Sequence, residues 1–154
     1  MLKFLNKKQS KEIIDKLKQQ YNIKDLKLDY IFMINNDNKI YITNKDIAKL
    51  DTSNLRIDSI GLYFAAIDNS KRIRLTIEGS QLIGKKANIN ILELTKKQAT
   101  EWIKGLDIST DKELKGYVII KYKSYFLGSG FYSDNTIKNF VSKSRRLQEI
   151  SSNF

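Results

Sequence analysis

The sequence predicts an α+β protein in which a small helix-and-hairpin unit precedes a larger mixed unit of β-strands and short helices. Three observations lead there. A stretch of helical periodicity stands near the amino end, and two pairs of β-patterned runs follow it around turn-forming clusters. The last third then carries apolar strands joined by short turns, with two closely spaced glycines in the middle one. At 154 residues and 41% hydrophobic content the chain can bury one medium core or two small ones.

The elements follow in order. Residues 10–21, SKEIIDKLKQQY, place Ile13, Ile14, Leu17 and Tyr21 on one helical face, with Ser10 available as a cap. The runs LDYIFMIN and KIYIT flank Asn35-Asn36-Asp37-Asn38 and make a hairpin. Asn44 to Leu50 reads as a short helix or turn, and Asp51 to Asn54 as a connector that closes an N-terminal unit of residues 1–54. From residue 55 a second unit begins. GLYFAAID (61–68) and RIRLTIE (72–78) form another hairpin, in which Ile73, Leu75 and Ile77 alternate with Arg72, Arg74 and Thr76. Residues 79–86 are a polar bend or short helix, and 89–94 a strand. Thr95 opens a helix carrying Ala99, Trp102 and Ile103 on one stripe, which Gly105 can end. A polar loop over 106–115 leads to Gly116-Tyr-Val-Ile-Ile, to a strand containing Gly128-x-Gly130, to a short third strand and to a basic tail.

Composition narrows the chemistry. The net charge is +11, from 28 Lys and Arg against 17 Asp and Glu, which suits a polyanionic partner because neutralised phosphates release their counterions. The same excess is equally the mark of a lysine-, asparagine- and isoleucine-rich chain that reflects its genome's base composition. There is no cysteine and no histidine, which removes disulfides, thiolate nucleophiles and the commonest general base and metal ligand. The acids Glu78, Glu93, Glu101 and Asp107 show no metal-ligand spacing, so no cofactor, no metal and no catalytic residue is assigned. No stretch approaches the roughly 20 apolar residues that a bilayer span needs, so a soluble, cytoplasmic protein is expected.

The segment from Glu93 to Lys138 has the order of parts of a PUA domain. A strand leads to a helix with Ala99 near its middle and Gly105 at its end, then to Gly116-Tyr-Val-Ile-Ile and Leu127-Gly128-x-Gly130. More narrowly, residues 116–146 resemble the C-terminal PUA-like region of the NOL1/NOP2/Sun (Fmu) family of RNA cytosine methyltransferases. The run Ile137-Lys138-Asn139-Phe140-Val141-Ser142-Lys143 with Arg145-Arg146 matches that ending in type, although Ser142 replaces the expected proline. Gly61-Leu-Tyr-Phe and Leu75-x-Ile-Glu-Gly look like stand-alone archaeal ribosome-biogenesis relatives. Residues 1–54 resemble a pre-PUA domain only loosely. The resemblance thus implies a pre-PUA-like α+β unit (1–54) followed by a PUA-like mixed β-barrel with short helices (55–154). Those methyltransferases need a cysteine nucleophile and a glycine-rich cofactor loop, and this chain has neither.

The resemblance implies a non-catalytic protein that recognises structured RNA, ribosomal or transfer, in ribosome biogenesis or RNA modification. Mapped by motif, RNA would lie across Lys104 and Gly105, with Gly128 and Gly130 nearby; absent Cβ atoms let a backbone meet a phosphate closely. Each glycine reads equally as a helix cap, bend or bulge. Lys138, Asn139, Lys143, Arg145 and Arg146 form the densest basic group, a phosphate clamp or a solvated terminus. Arg72 and Arg74 extend it from another strand, or merely discourage edge pairing. Lys121 lies among Tyr122, Tyr125, Phe126, Phe131 and Tyr132, of which one or two could stack on a base. Trp102 reads as core. The competing reading is a protein-interaction adaptor docked on an RNA methyltransferase or a ribosome-assembly factor.

Overall fold

Two five-stranded sheets face each other in the computed structural model, which describes residues 2–46 and 61–146. The first sheet is antiparallel throughout. Its order is β1 (Lys3–Phe4), β2 (Ile31–Ile34), β3 (Lys39–Thr43), β4 (Leu62–Ile67) and β5 (Ile73–Leu75), each paired with the next. Helix α1 (Lys7–Tyr21) covers one side of it, contributing Ile13, Leu17 and Tyr21 to a core with Phe32, Ile40, Ile42, Phe64, Ile73 and Leu75. The helix starts three residues before Ser10. Asn6 caps it, its side chain accepting from the Gln9 amide at 2.8 Å while Gln9 accepts from the Asn6 amide at 3.0 Å.

The second sheet is mixed, with β6 (Ile91–Glu93) parallel to β8 (Gly116–Tyr122), then β9 (Tyr125–Ser133), β10 (Thr136–Asn139) and β7 (Ile108–Ser109) antiparallel in that order. Alternation along β8 splits the sheet between two cores. Val118, Ile120 and Tyr122 pack with Leu92, Ala99, Trp102, Ile108 and Ile137, under helix α3 (Lys96–Ile103). Ile119 joins the core of the first sheet instead. The seam between the sheets is held by Ser129 Oγ donating to the Leu75 carbonyl at 2.8 Å and by the Gly128 amide donating to Ser80 Oγ at 2.9 Å.

The α+β class and the mixed β unit with short helices are therefore as expected. The boundary at 54/55 lies outside the described residues, as do the connector Asp51–Asn54 and most of the turn begun at Asn44. Residues 62–75, assigned by sequence to the second unit, pair in the first sheet through β3 and β4. The strand expected over 72–78 also stops early. Thr76 is an N-cap, accepting from the Gly79 amide at 3.0 Å, and helix α2 (Ile77–Ile83) begins directly after it. Gly79 is pressed so closely on the Phe64 carbonyl that a Cβ would clash, and α2 packs between the sheets on that contact. The loop expected over 106–115 hides β7, whose Ile108 is buried.

Candidate nucleic-acid interface

Register aligns two rows of side chains across the seam. In the first sheet Lys39 pairs with Ala66 and Ala66 with Arg74, so both cations share the outer face, with Arg72 two residues before Arg74. In the second sheet Tyr117 pairs with Phe131 and Phe131 with Lys138, on the face turned toward β5. The arginines of the first row lie over the aromatics of the second. Arg72 sits 4.5 Å from the Phe131 centroid and 5.9 Å from Tyr117, and Arg74 sits 4.9 Å from Phe140. Lys138 also lies near this ring, 5.7 Å from its centroid. Tyr117 meets Phe131 and Phe140 edge-on at 5.1 and 6.1 Å. The result is one continuous strip of three rings and three cations.

Arg72 is positioned by a local network. Its Nε donates to Asp68 Oδ2 at 2.9 Å, and its backbone amide donates to Asp68 Oδ1. Tyr117 Oη donates to the same Oδ2 at 3.0 Å, tying the β4–β5 turn to the second sheet. Burial pushes the Asp68 carboxyl up, but hydrogen bonds from Arg72, Tyr117 and Ser70 outweigh it and hold it below the ordinary value. A lowered carboxyl stabilises the fold above its unfolded value and loses that contribution as pH falls through the folded one, so the Arg72 anchor persists at neutral pH. Burial, with the adjacent Asp68 carboxylate, pushes the Tyr117 phenol up to about 12, so it remains a donor. Among the described residues, Arg74 and Lys138 have no carboxylate partner, which leaves both charges available.

Beside the strip, between the sheets, lies a cleft of about 390 Å³. Leu62, Tyr63, Ile77, Phe140 and Val141 give it apolar walls, and Lys39, Arg74 and Arg145 bring positive charge to it. Among the described residues Glu78 is the one acid lining it, and it pairs with Arg145 at 2.6 Å.

The twelve residues singled out by sequence do not all converge. Arg72, Arg74, Lys138 and Arg145 meet at the strip and the cleft, and Gly128, with φ of +92°, lines the cleft floor. Lys104 and Gly105 end α3, on the opposite face of the second sheet. There Gly105, at φ +97°, forms a Schellman cap: its amide donates to the Trp102 carbonyl at 2.9 Å, and the Leu106 amide donates to Glu101 at 3.0 Å. The Arg146 side chain packs against Gly105, its Nε donating to the Val141 carbonyl at 3.0 Å, so the arginine fills the space that the missing Cβ leaves. Lys143 is exposed in the turn over Lys143–Arg145. Lys121, paired with Glu93 and lying over Phe126, stands four residues from Tyr117, about 13 Å along β8.

Gly130 and Asn139 require correction: both are interior. Gly130 is bare because Trp102, Ile137 and the Lys138 carbonyl leave no room for a Cβ. Asn139 donates from Nδ2 to the Trp102 and Leu106 carbonyls at 2.8 and 2.9 Å and accepts from the Val141 amide at 2.7 Å. It therefore satisfies the end of α3 and starts the basic tail. Asn139→Ala leaves these groups short of partners and should lower unfolding free energy by about 2–3 kcal/mol, read by urea denaturation. Trp102 is core as expected, with Nε1 donating to the Leu127 carbonyl at 2.8 Å. Lys39 and Tyr63 were missed; only strand pairing, not spacing, brings them to Arg74.

Residues 89–147 match the family described as Methyltransferase RsmF PUA domain. The chain is 31% identical over 121 residues to the ribosomal RNA small subunit methyltransferase F of Aliivibrio fischeri, covering 75% of this chain and 25% of that protein. The protein of the same name from Aeromonas salmonicida is 34% identical over 86 residues, covering 55% and 18%. That from Vibrio parahaemolyticus is 29% identical over 147 residues, covering 87% and 28%, so the likeness extends well beyond the PUA segment. The chain spans about a quarter of the length of the curated relatives it matches. These relatives are bacterial, which overturns the archaeal resemblance drawn from Gly61-Leu-Tyr-Phe and Leu75-x-Ile-Glu-Gly.

Proposed function

We propose that this chain, which carries a PUA domain similar to the PUA-like region of the NOL1/NOP2/Sun methyltransferases, is a non-catalytic, cytoplasmic binder of structured RNA. Its ligand would be ribosomal or transfer RNA, in ribosome biogenesis or RNA modification. The observation that carries this reading is the strip Arg72–Phe131–Tyr117–Phe140–Arg74–Lys138. Guanidinium groups 4.5 and 4.9 Å from ring centroids build a platform on which bases can stack, while the charges of Arg74 and Lys138, which have no carboxylate partner among the described residues, meet phosphates. The ion pair with Asp68 engages Nε of Arg72, so its terminal nitrogens can fork onto a phosphate.

The test is equilibrium binding of small-subunit rRNA fragments to Phe131→Leu and Phe140→Leu variants. A lost stacking platform should weaken binding about 10-fold in each. Parent-like affinity in both would contradict the reading. An adaptor role, with an RNA methyltransferase or assembly factor as partner, is favoured by one feature, an apolar depression of about 380 Å³ lined by Leu5, Ile13, Ile34, Ile67 and Ile73. A protein partner that survives nuclease treatment, with no RNA bound, would support it.

A further inference from the structure

We infer that the cleft between the sheets takes one unpaired nucleotide of the bound RNA, its base among Leu62, Tyr63 and Phe140 and its phosphate at Lys39 and Arg74. The inference rests on the RNA-binding reading and adds a site to it. Shape separates the two surfaces. The strip presents half-buried Arg72, Arg74, Phe131 and Phe140 with the exposed Lys138 and can serve a helical backbone, whereas the cleft is lined by Thr76–Glu78 and Phe140–Ser142. Its 390 Å³ suits a single base with its sugar rather than a paired segment, at the lower end of small-ligand pockets.

Composition points the same way. Leu62 remains 44% exposed at the cleft, an apolar surface that a stacked base would cover. Tyr63 is half-buried, with Tyr41 against one side at 5.4 Å and Lys39 at 5.5 Å, so its ring is already fixed. Gly128 contributes no side chain to the floor. Among the described residues, three cations against one acid give the lining a net charge of +2, complementary to a phosphate. The one acid can also select. With one oxygen of Glu78 held by Arg145, the other can only accept, so it favours a base presenting an exocyclic amino group and disfavours uracil.

The experiment compares an RNA hairpin bearing a single bulged cytidine with the same hairpin fully paired, using the intact chain. The bulged form should bind about 10-fold tighter. Ser142→Trp, which fills the cleft from an exposed position, should erase that difference and leave the paired hairpin's affinity unchanged; Tyr63→Ala should also erase the difference. A bulged uridine should bind several-fold weaker than cytidine, and Glu78→Gln should remove that preference. Equal affinity for bulged and paired hairpins, or an advantage that survives both cleft variants, overturns the inference while leaving RNA binding intact. Failure of both hairpins to bind overturns the inference together with the reading beneath it.

Discussion

Gly130→Ala is expected to lower the melting temperature by about 10 °C. The new Cβ would stand 2.5 Å from Ile137 Cγ2 and from the Lys138 carbonyl, and 2.6 Å from the Trp102 ring. The carbonyl cannot yield, because Gly130 pairs with Asn139 in the β9–β10 ladder. Trp102 cannot yield either: it is fully buried, and its Nε1 is bonded to Leu127. Overpacking against two fixed groups costs about 3 kcal/mol, and each kcal/mol moves the midpoint by about 2–4 °C at this size. Gly116→Ala is the control. Nothing lies within 4 Å of its Cβ position, so only the strain of φ +67° remains, about 1 kcal/mol. A Gly130 variant as stable as the parent would show that the Trp102 contact is loose.

Reversing both strip arginines, Arg72→Glu with Arg74→Glu, should weaken binding of structured RNA about 100-fold at 0.1 M salt. Each reversal removes an attraction and adds a repulsion, each about 1 kcal/mol at close range in water-like screening, and salt trims the sum. Lys104→Glu, on the opposite face of the second sheet, should change affinity less than about 3-fold by the same reasoning. Thermal melts of both variants separate lost binding from lost fold, since Arg72 also holds the β4–β5 turn through Asp68. Equal losses from both sites would mean a diffuse electrostatic effect in place of a defined surface.

Most of the fold was legible because its signals are local. Ile13, Leu17 and Tyr21 recur at helical spacing, Thr95 and Gly105 bracket α3, and the β-runs bounded by Asn, Asp and Gly became β2–β3, β4–β5 and β8–β10. Errors arose where two local readings were both satisfied. Ile77 continues the alternation of Ile73 and Leu75, yet Thr76 caps a helix, and the deciding contact, Gly79 on the Phe64 carbonyl, is distant in sequence. Asn6 outcompeted Ser10 because Gln9 completes its capping box. The candidate site was half legible. Arg72 and Arg74 stand out by alternation, but their aromatic partners are chosen by the packing of one sheet on the other. Asn139 and Gly130 were misassigned for the converse reason, since density of basic neighbours says nothing about burial.

In the proposed RNA complex, a few named cations at the seam contact phosphates. The most direct measurement of this is the salt dependence of RNA affinity for the parent and for a triple variant, Arg72→Gln, Arg74→Gln, Lys138→Gln. The account predicts a steep fall of log K with log salt in the parent and a slope shallower by about two to three in the triple variant. Parallel lines for the two proteins would contradict it.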